Sequence, residues 1–298
     1  MTWSCRVAKA ADLGGVYALF AACRAFPDAA GERDVELRLW SVWKRTGWSP
    51  LNQVLALEDG TDRVLGALCF FPTGERGVAL EPPRLLPGAD VEPAAFLKAA
   101  LDVLGPRFGY AQALLDAEDP AFTAAGLPVA ARLLTLERPA RPGDDATPID
   151  PALAWRTADA VAPGNLEDLI RRTLVGSLDA PAVQEILTPD EMLASYRAPG
   201  PRWFQAEAGG KPVACLLLNA LEDGGLELKY MGVVPEARGR GFGRALLARA
   251  VREDAQIAVT VDETNAPARS LYAAYGFETR TRKFLPFASL ARYHPRPS

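Results

Sequence analysis

Apolar and polar positions along the chain fall into two successive series of the same kind. The first opens with a short extended run, Trp3 to Val7, followed by apolar residues at helical spacing from Leu13 to Ala25. Two apolar runs, Val54–Glu58 and Val64–Phe71, then flank Asp59-Gly60 and read as a strand pair, with a helical pattern at Ala94–Leu104 and a strand at Ala111–Ala117 beyond them. The second series repeats this order: Trp155 to Ala158, a helix over Leu166–Val175, the strands Trp203–Ala208 and Val213–Asn219 around Gly209-Gly210, a strand at Leu226–Val234, a helix over Arg244–Arg252 and a strand at Ile257–Val261. Between the two lies Pro139–Pro151, polar and proline-rich with neither period, which reads as a linker. The pattern predicts a mixed α/β (α+β) protein of two pseudo-repeated domains, 1–138 and 151–298, joined by residues 139–150. A chain of 298 residues has room for both.

Composition narrows the class. At 49% hydrophobic residues the chain can fill two cores, and its formal net charge of −4, without any Lys/Arg-rich run, argues against nucleic acid or an anionic membrane as partner. Cys5, Cys23, Cys69 and Cys215 form no Cys-x-x-Cys pair, so a disulfide framework or zinc site is not expected and a reducing cytoplasm fits best. His294, in a Pro-rich tail, is the only histidine, which excludes sites of several histidines and leaves a Ser-His-Asp triad poorly placed. The N-terminal residues show no basic segment followed by an apolar core, and no apolar stretch approaches membrane-spanning length, so secretion and membrane insertion are not expected. Oligomeric state, monomer or homodimer, stays open.

The densest chemical signal is Arg238-Gly239-Arg240-Gly241-Phe242-Gly243, directly after the strand Leu226–Val234 and running into an amphipathic helix. Three glycines permit a sharp turn that aims several N–H groups at one point, where the helix N-terminus adds partial positive charge; an anionic pyrophosphate fits there. A nucleoside-triphosphate loop would need Lys and Ser or Thr after its last glycine, but Arg244 and Ala245 follow Gly243, and Arg244 stands where a dinucleotide fingerprint has its third glycine. Downstream, Asn265-Ala266-Pro267-Ala268-Arg269-Ser270-Leu271-Tyr272-Ala273-Ala274-Tyr275-Gly276-Phe277 supplies a capping Asn, a first-turn Pro and a terminating Gly, as a helix between two strands requires.

Together the Arg-x-x-Gly-x-Gly loop and the Asn-x-x-Ala-x-x-Leu-Tyr-x-x-x-Gly-Phe segment resemble the GNAT superfamily of N-acetyltransferases, over roughly residues 151–285 and most specifically from Leu226 to Phe277. The resemblance implies two tandem GNAT-like domains, each a mixed, mostly antiparallel sheet flanked by helices, with acetyl-CoA as co-substrate and no metal. It implies that Met231, Val233 and Pro235 offer main-chain groups to the pantetheine arm, with the Met231 N–H as oxyanion donor, and that Arg238, Gly239, Arg240, Gly241, Phe242, Gly243 and Arg244 cradle the pyrophosphate. Asn265 falls where the family holds the CoA arm, Tyr272 at its general acid, with Tyr275 as a rival better suited to packing, and Glu227 at the glutamate base of the histone-acetylating branch, where an exposed cross-strand partner is an equal reading. Asp262 and Glu263 are lesser candidates for holding the substrate ammonium.

In the first half the loop position reads Leu80-Glu81-Pro82-Pro83-Arg84-Leu85-Leu86-Pro87-Gly88, where three prolines remove N–H donors and Glu81 adds negative charge, and Glu118–Gly126 lacks the Asn and Tyr of the second motif. The N-terminal half is accordingly expected to be a degenerate GNAT-like domain that does not bind CoA. The expected activity is transfer of acetyl from acetyl-CoA to a primary amine by direct attack; a CoA-binding sensor or scaffold without turnover is the alternative. Asp179, Glu185, Asp190 and Glu191 make the segment Glu167–Arg197 acidic, which fits a cationic acceptor or a solvated helix face. Small amines, a protein N-terminus and a mycothiol-type aminosugar remain open as acceptors.

Overall fold

A computed structural model describes residues 3–23, 54–61, 63–196, 202–222, 224–253 and 256–291. His294 and Arg197 lie outside the described residues. The chain divides into two compact units, Met1–Ala130 with Phe284–Ser298, and Ala131–Lys283. The folded units therefore do not follow the linear division at 139–150. The second contains strand residues that precede the linker, and the first takes in the end of the chain.

In the first unit β1 (Ser4–Val7), α1 (Leu13–Ala22), β2 (Val54–Glu58) and β3 (Val64–Thr73) come in the expected order, followed by β4 (Gly77–Leu80), a strand the sequence pattern did not single out. The two-residue β5 (Arg84–Leu85), α2 (Pro93–Leu104), β6 (Tyr110–Gln112), α3 (Pro120–Ala124) and the start of β7 (Val129–Arg138) follow. Strands β1 to β4 are successively antiparallel, β4 and β6 are parallel, and Phe287–Ser289 close the sheet antiparallel to Tyr110–Gln112. Helix α2 buries Phe96, Leu97, Ala100, Leu101 and Leu104, one helical stripe, in a core with Leu55, Leu57, Leu68 and Phe70.

The second unit repeats the order with β8 (Leu153–Thr157), α4 (Pro163–Leu174), α5 (Pro181–Gln184), α6 (Pro189–Tyr196), β9 (Arg202–Ala208), β10 (Lys211–Ala220), β11 (Leu226–Val233), α7 (Phe242–Val251), β12 (Ile257–Asp262), α8 (Ala266–Ala274) and the start of β13 (Glu278–Ser289). Strands β8 to β11 are antiparallel, β11 and β12 parallel, and Leu133–Arg138 of β7 run antiparallel to β12. Strand β10 is buried from Val213 to Asn219, as a central strand covered on both faces must be. Its core includes Leu216, Leu246, Leu247 and Ile257.

The predicted linker is tied down. Arg138 donates to both carboxylate oxygens of Asp144 at 2.6 Å and to the Tyr275 carbonyl at 2.8 Å, while the Arg141 N–H donates to Asp144 at 2.8 Å. Both side chains of the pair are buried, so each charge depends on the other. The Arg138 hydrogen bond, then the Arg141 N–H, hold the Asp144 carboxyl below its ordinary value against the opposing effect of burial. A depressed carboxyl stabilises above its unfolded pKa and loses that contribution as pH falls through the folded value. Asp144→Asn is expected to cost about 3 kcal/mol in urea unfolding at pH 7 and to reduce the loss of stability of the full chain below about pH 4.

Candidate active site

The site is built where β11 leaves β12. The two strands pair only through Leu226, Glu227 and Leu228, opposite Ile257, Ala258 and Val259, after which the ladder stops although both continue. On its other edge β11 stays paired with β10 as far as Val233, with an irregularity: Leu217 opposes Tyr230 while the next residue, Leu218, opposes Leu228. Lys229 is thus an extra residue, a β-bulge. Its effect is a change of parity. Leu226 donates its N–H toward the β12 side, to Gln256 at 2.8 Å, and without the bulge the even residues would keep that direction. Instead Val234 donates to Val213 of β10 at 2.9 Å, so that Gly232 also faces β10 and the N–H groups of Met231 and Val233 face the gap.

The opposite wall follows the same logic. Glu263 donates its N–H to Arg132 of β7 at 2.7 Å, so the preceding Asp262 N–H points away from β7 and into the gap. There it meets the carboxylate of Asp179, from the segment between α4 and α5, at 2.9 Å.

At the wide end the chain passes through a short turn at Pro235–Ala237 into the glycine loop. Gly239 and Gly241 have φ of 75° and 85°, and an added Cβ would meet nothing within 4 Å at either, so backbone conformation rather than space requires glycine. Gly241 is the N-cap of α7 and no side chain caps that end. Among the described residues the amides of Gly239, Arg240, Gly241, Phe242 and Gly243 find no acceptor, which leaves five N–H groups at a helix N-terminus for an anion. The exposed Arg240 stacks on the Phe242 ring at 5.0 Å. Exposed Arg244 adds positive charge on the first turn.

Arg238 does something else. Its guanidinium donates to the carbonyls of Thr173, Val175 and Gly176 at 3.0, 2.6 and 3.0 Å and to that of Val233 at 3.1 Å, and its own N–H donates to Pro235 at 3.3 Å. The side chain expected on the pyrophosphate instead caps the C-terminus of α4, whose last carbonyls have no helical partner. The same bonds occupy the carbonyls of Val233 and Pro235, which leaves the N–H groups of Met231 and Val233 as the donors available from this stretch.

Tyr272 is 4% exposed, packed on Phe277 with ring centroids 5.4 Å apart. Burial, and then the nearby Asp179 carboxylate, raise its phenol above the ordinary value, so it keeps its proton across the neutral range. Tyr275 donates its hydroxyl to the Arg244 carbonyl at 3.0 Å, a packing role. Asn265 caps α8 through Ala268 N–H at 3.3 Å. Glu227 lies in the closed, paired part of β11, in contact with Asn219 at 3.5 Å and Lys229 at 3.4 Å. Met231 lies four positions further along, roughly 13 Å of strand. Glu263 is committed to Arg282, and the Asp262 carboxylate to Thr264, outside the gap.

On the side of the gap facing α4, Tyr230 stacks on Tyr196 at 4.8 Å and its hydroxyl meets Thr173 Oγ1 at 2.8 Å. A Cβ on Gly232 would sit 2.5 Å from Thr173 Oγ1 and 2.7 Å from the Tyr230 hydroxyl, so this packing demands glycine. Beneath it the Cys215 thiol is pushed up to about 12 by burial. Thr173 and Tyr196 carry no local sequence sign as site residues, because neither lies within the two motifs, and Asp179 shows only as one of the acidic residues in the segment Glu167–Arg197.

In the first unit the corresponding parallel pair is β4 and β6, joined through Gly77–Ala79 and Tyr110–Gln112, the whole length of β6. Beyond them Glu81 is drawn back to the Cys69 carbonyl at 2.9 Å and β5 pairs with β3, so no glycine loop forms and α2 starts only at Pro93. A cavity of about 530 Å³ there is lined by Glu81, Asp116, Glu118 and Asp119 against the single Arg84, the wrong sign for a polyanion. Among the described residues no three His, Cys, Asp or Glu side chains group as a metal site, and no helix is long and apolar enough to cross a membrane.

Residues 167–277 match the acetyltransferase (GNAT) family model. The chain superposes on a GCN5-related N-acetyltransferase from Sphaerobacter thermophilus at 15% identity and a TM-score of 0.54, covering 97% of this chain and 96% of that one. For a GCN5-related N-acetyltransferase from Anabaena variabilis the values are 13% and 0.50, over 97% and 73%. A glucosamine N-acetyltransferase region of a fungal multi-domain GH3 β-N-acetylglucosaminidase gives 13% and 0.52, over 96% of this chain and 38% of that chain. No curated protein matches the chain. The second unit thus carries a domain of the GNAT family, a family of acetyltransferases. The chain as a whole has the fold of such proteins, in two GNAT-like units.

The clamp at Arg238 yields a stability prediction. Arg238→Ala should lower stability by about 1–3 kcal/mol, because the carbonyls at the end of α4 lose charged donors. Arg238→Lys should restore little of it, since one ammonium cannot span four carbonyls. Thermal unfolding of both variants checks this.

Proposed function

We propose that the protein transfers an acetyl group from acetyl-CoA to a primary amine by direct attack, in its second unit, and that the first unit is a degenerate relative that does not bind CoA. The observation that carries this reading is the gap between β11 and β12, with the Met231 and Val233 N–H groups aimed into it and the open amides of 239–243 at its wide end. A pantetheine arm extends along such a strand edge as an added strand, and its pyrophosphate meets the helix N-terminus. Gly239, Arg240, Gly241, Phe242, Gly243 and Arg244 would hold the pyrophosphate, with Asn265 beside the arm.

Acetyl-CoA brings the activated acyl group. The Met231 N–H is the donor for its carbonyl oxygen, fixed in direction by the bulge before any substrate arrives. Tyr272 keeps its proton for the departing thiolate. Glu227, roughly 13 Å down the strand, acts as base only through intervening water. The proline-rich path and acidic cavity of the first unit support its assignment as non-binding.

Calorimetric titration of acetyl-CoA against the full chain is expected to give one site, weakened about tenfold or more by Gly241→Val, which forces a side chain into a positive φ. Tyr272→Phe should keep that affinity and slow acetylation of an amine panel by about a hundredfold or more, whereas Glu227→Gln should keep most of the rate. Binding without acetylation of any amine, unaffected by Tyr272→Phe, would instead support a CoA sensor. No binding would exclude both readings, and two sites would refute the assignment of the first unit.

A further inference from the structure

Asp179 is a charged group at the gap that the proposed chemistry leaves without a task. Its residue stands exposed on the segment after α4, yet its carboxylate turns inward and takes the Asp262 N–H at 2.9 Å, the amide that β12 exposes where β11 departs. This places a negative charge in the gap, on the wall opposite Met231. The titratable groups acting on it or acted on by it are the Asp262 carboxylate from β12, the Tyr272 phenol from α8 and the Tyr196 phenol from α6.

None of these is a cation, and among the described residues no Lys or Arg pairs with Asp179. Burial first, and the like charge of Asp262, raise its carboxyl, while the Asp262 N–H opposes them. A carboxylate held by one backbone N–H, with phenols and a second carboxylate as its titratable surroundings, is an anion whose counter-ion a ligand can supply. Surface carboxylates of the same segment are answered: Asp168 and Asp190 both pair with Arg171.

We propose that Asp179 is the binding site for the ammonium group of the acceptor, which makes the acceptor a cationic primary amine whose carbon skeleton lies against the ring of Tyr196. The inference rests on the acetyltransferase reading for the role of the gap. It adds the residue that selects the acceptor's charge and the side from which the amine arrives. The Tyr196 and Tyr230 stack offers an aromatic wall beside the carboxylate, which suits a cation attached to an apolar body. The Asp262 N–H fixes the carboxylate, so the ammonium meets a positioned partner.

The test uses two probes of equal shape, 2-phenylethylammonium and the neutral 2-phenylethanol, titrated into the full chain with and without CoA, so that no acetyl group is present to react. The ammonium is expected to bind about tenfold or more tightly than the alcohol, and Asp179→Asn, whose side-chain oxygen still accepts the Asp262 N–H, is expected to erase the difference while CoA affinity is unchanged. Equal binding of the two probes by the unaltered chain, or no binding of either, overturns the proposal, as does an ammonium preference that survives in Asp179→Asn. If the variant loses CoA affinity as well, the comparison on the unaltered chain decides. Failure of CoA itself to bind would sink the acetyltransferase reading, while the ammonium preference would still stand or fall on its own.

Discussion

One extra residue in a strand, Lys229, sets the geometry on which the candidate site depends. Before it, the even-numbered amides of β11 face β12; after it, the odd ones do, and β11 follows β10 away from its parallel neighbour. The cost is a stretch of backbone on both walls with no ladder partner, which a fold tolerates only where some other group satisfies it. Asp179 does this for the Asp262 amide. Among the described residues nothing does it for the amides of Met231 and Val233, and it is these that the proposed ligand takes up. The bulge thus turns a defect in sheet pairing into directed donors.

The wide end is fixed by a second dependence, between helix α4 and the loop. Thr173 contributes its hydroxyl to Tyr230 and its carbonyl to Arg238, while Gly232 lets the helix approach β11 closely enough for both. Arg238 then joins the end of α4 to the carbonyl of Val233. The loop that follows is anchored at its first residue, and its glycines are left with only the turn to make. Substitutions around Arg238 therefore act on folding as well as on the proposed ligand site, and kinetic effects there carry meaning only beside a stability measurement.

What the sequence made legible was local. Glycines at positive φ, an Asn cap followed by Pro, and apolar runs of strand or helix period are each demanded by the backbone within a few residues, and β2, β3, β9 to β12 and α7 fall close to where those signals put them. The bulge left no trace, because Leu-Glu-Leu-Lys-Tyr reads as ordinary alternation and the partner that exposes the slip is ten residues upstream. Asp179 was visible only as part of an acidic stretch, since its bond to Asp262 spans 83 residues. Arg238 stands in the loop's motif, but its carbonyl acceptors on α4 and just beyond it are more than sixty residues away, so nothing near it in the sequence points to them. Pro139–Pro151 looked like a boundary because its composition is that of one, although it lies inside the second unit and a buried ion pair ties it to the end of β7.

The same long-range pairing gives a physical reason for a first half that lacks the loop. Once β11 has parted, β12 keeps only three residues of pairing on that edge, too few to hold Asp262 and the start of α8 in place. Its other edge is held over six residues, Ile257 to Asp262, by Leu133–Arg138, which come from before the linker. Arg138, at the end of that strand, continues the support to the Tyr275 carbonyl at the close of α8, the helix that carries Tyr272. A chain beginning after the linker would contain both sequence motifs and lack the strand that positions one of them. The glycine loop and the Asn motif define the chemistry proposed for the second unit, but the wall behind them is supplied by residues that precede the linker, in the half of the sequence that lacks both motifs.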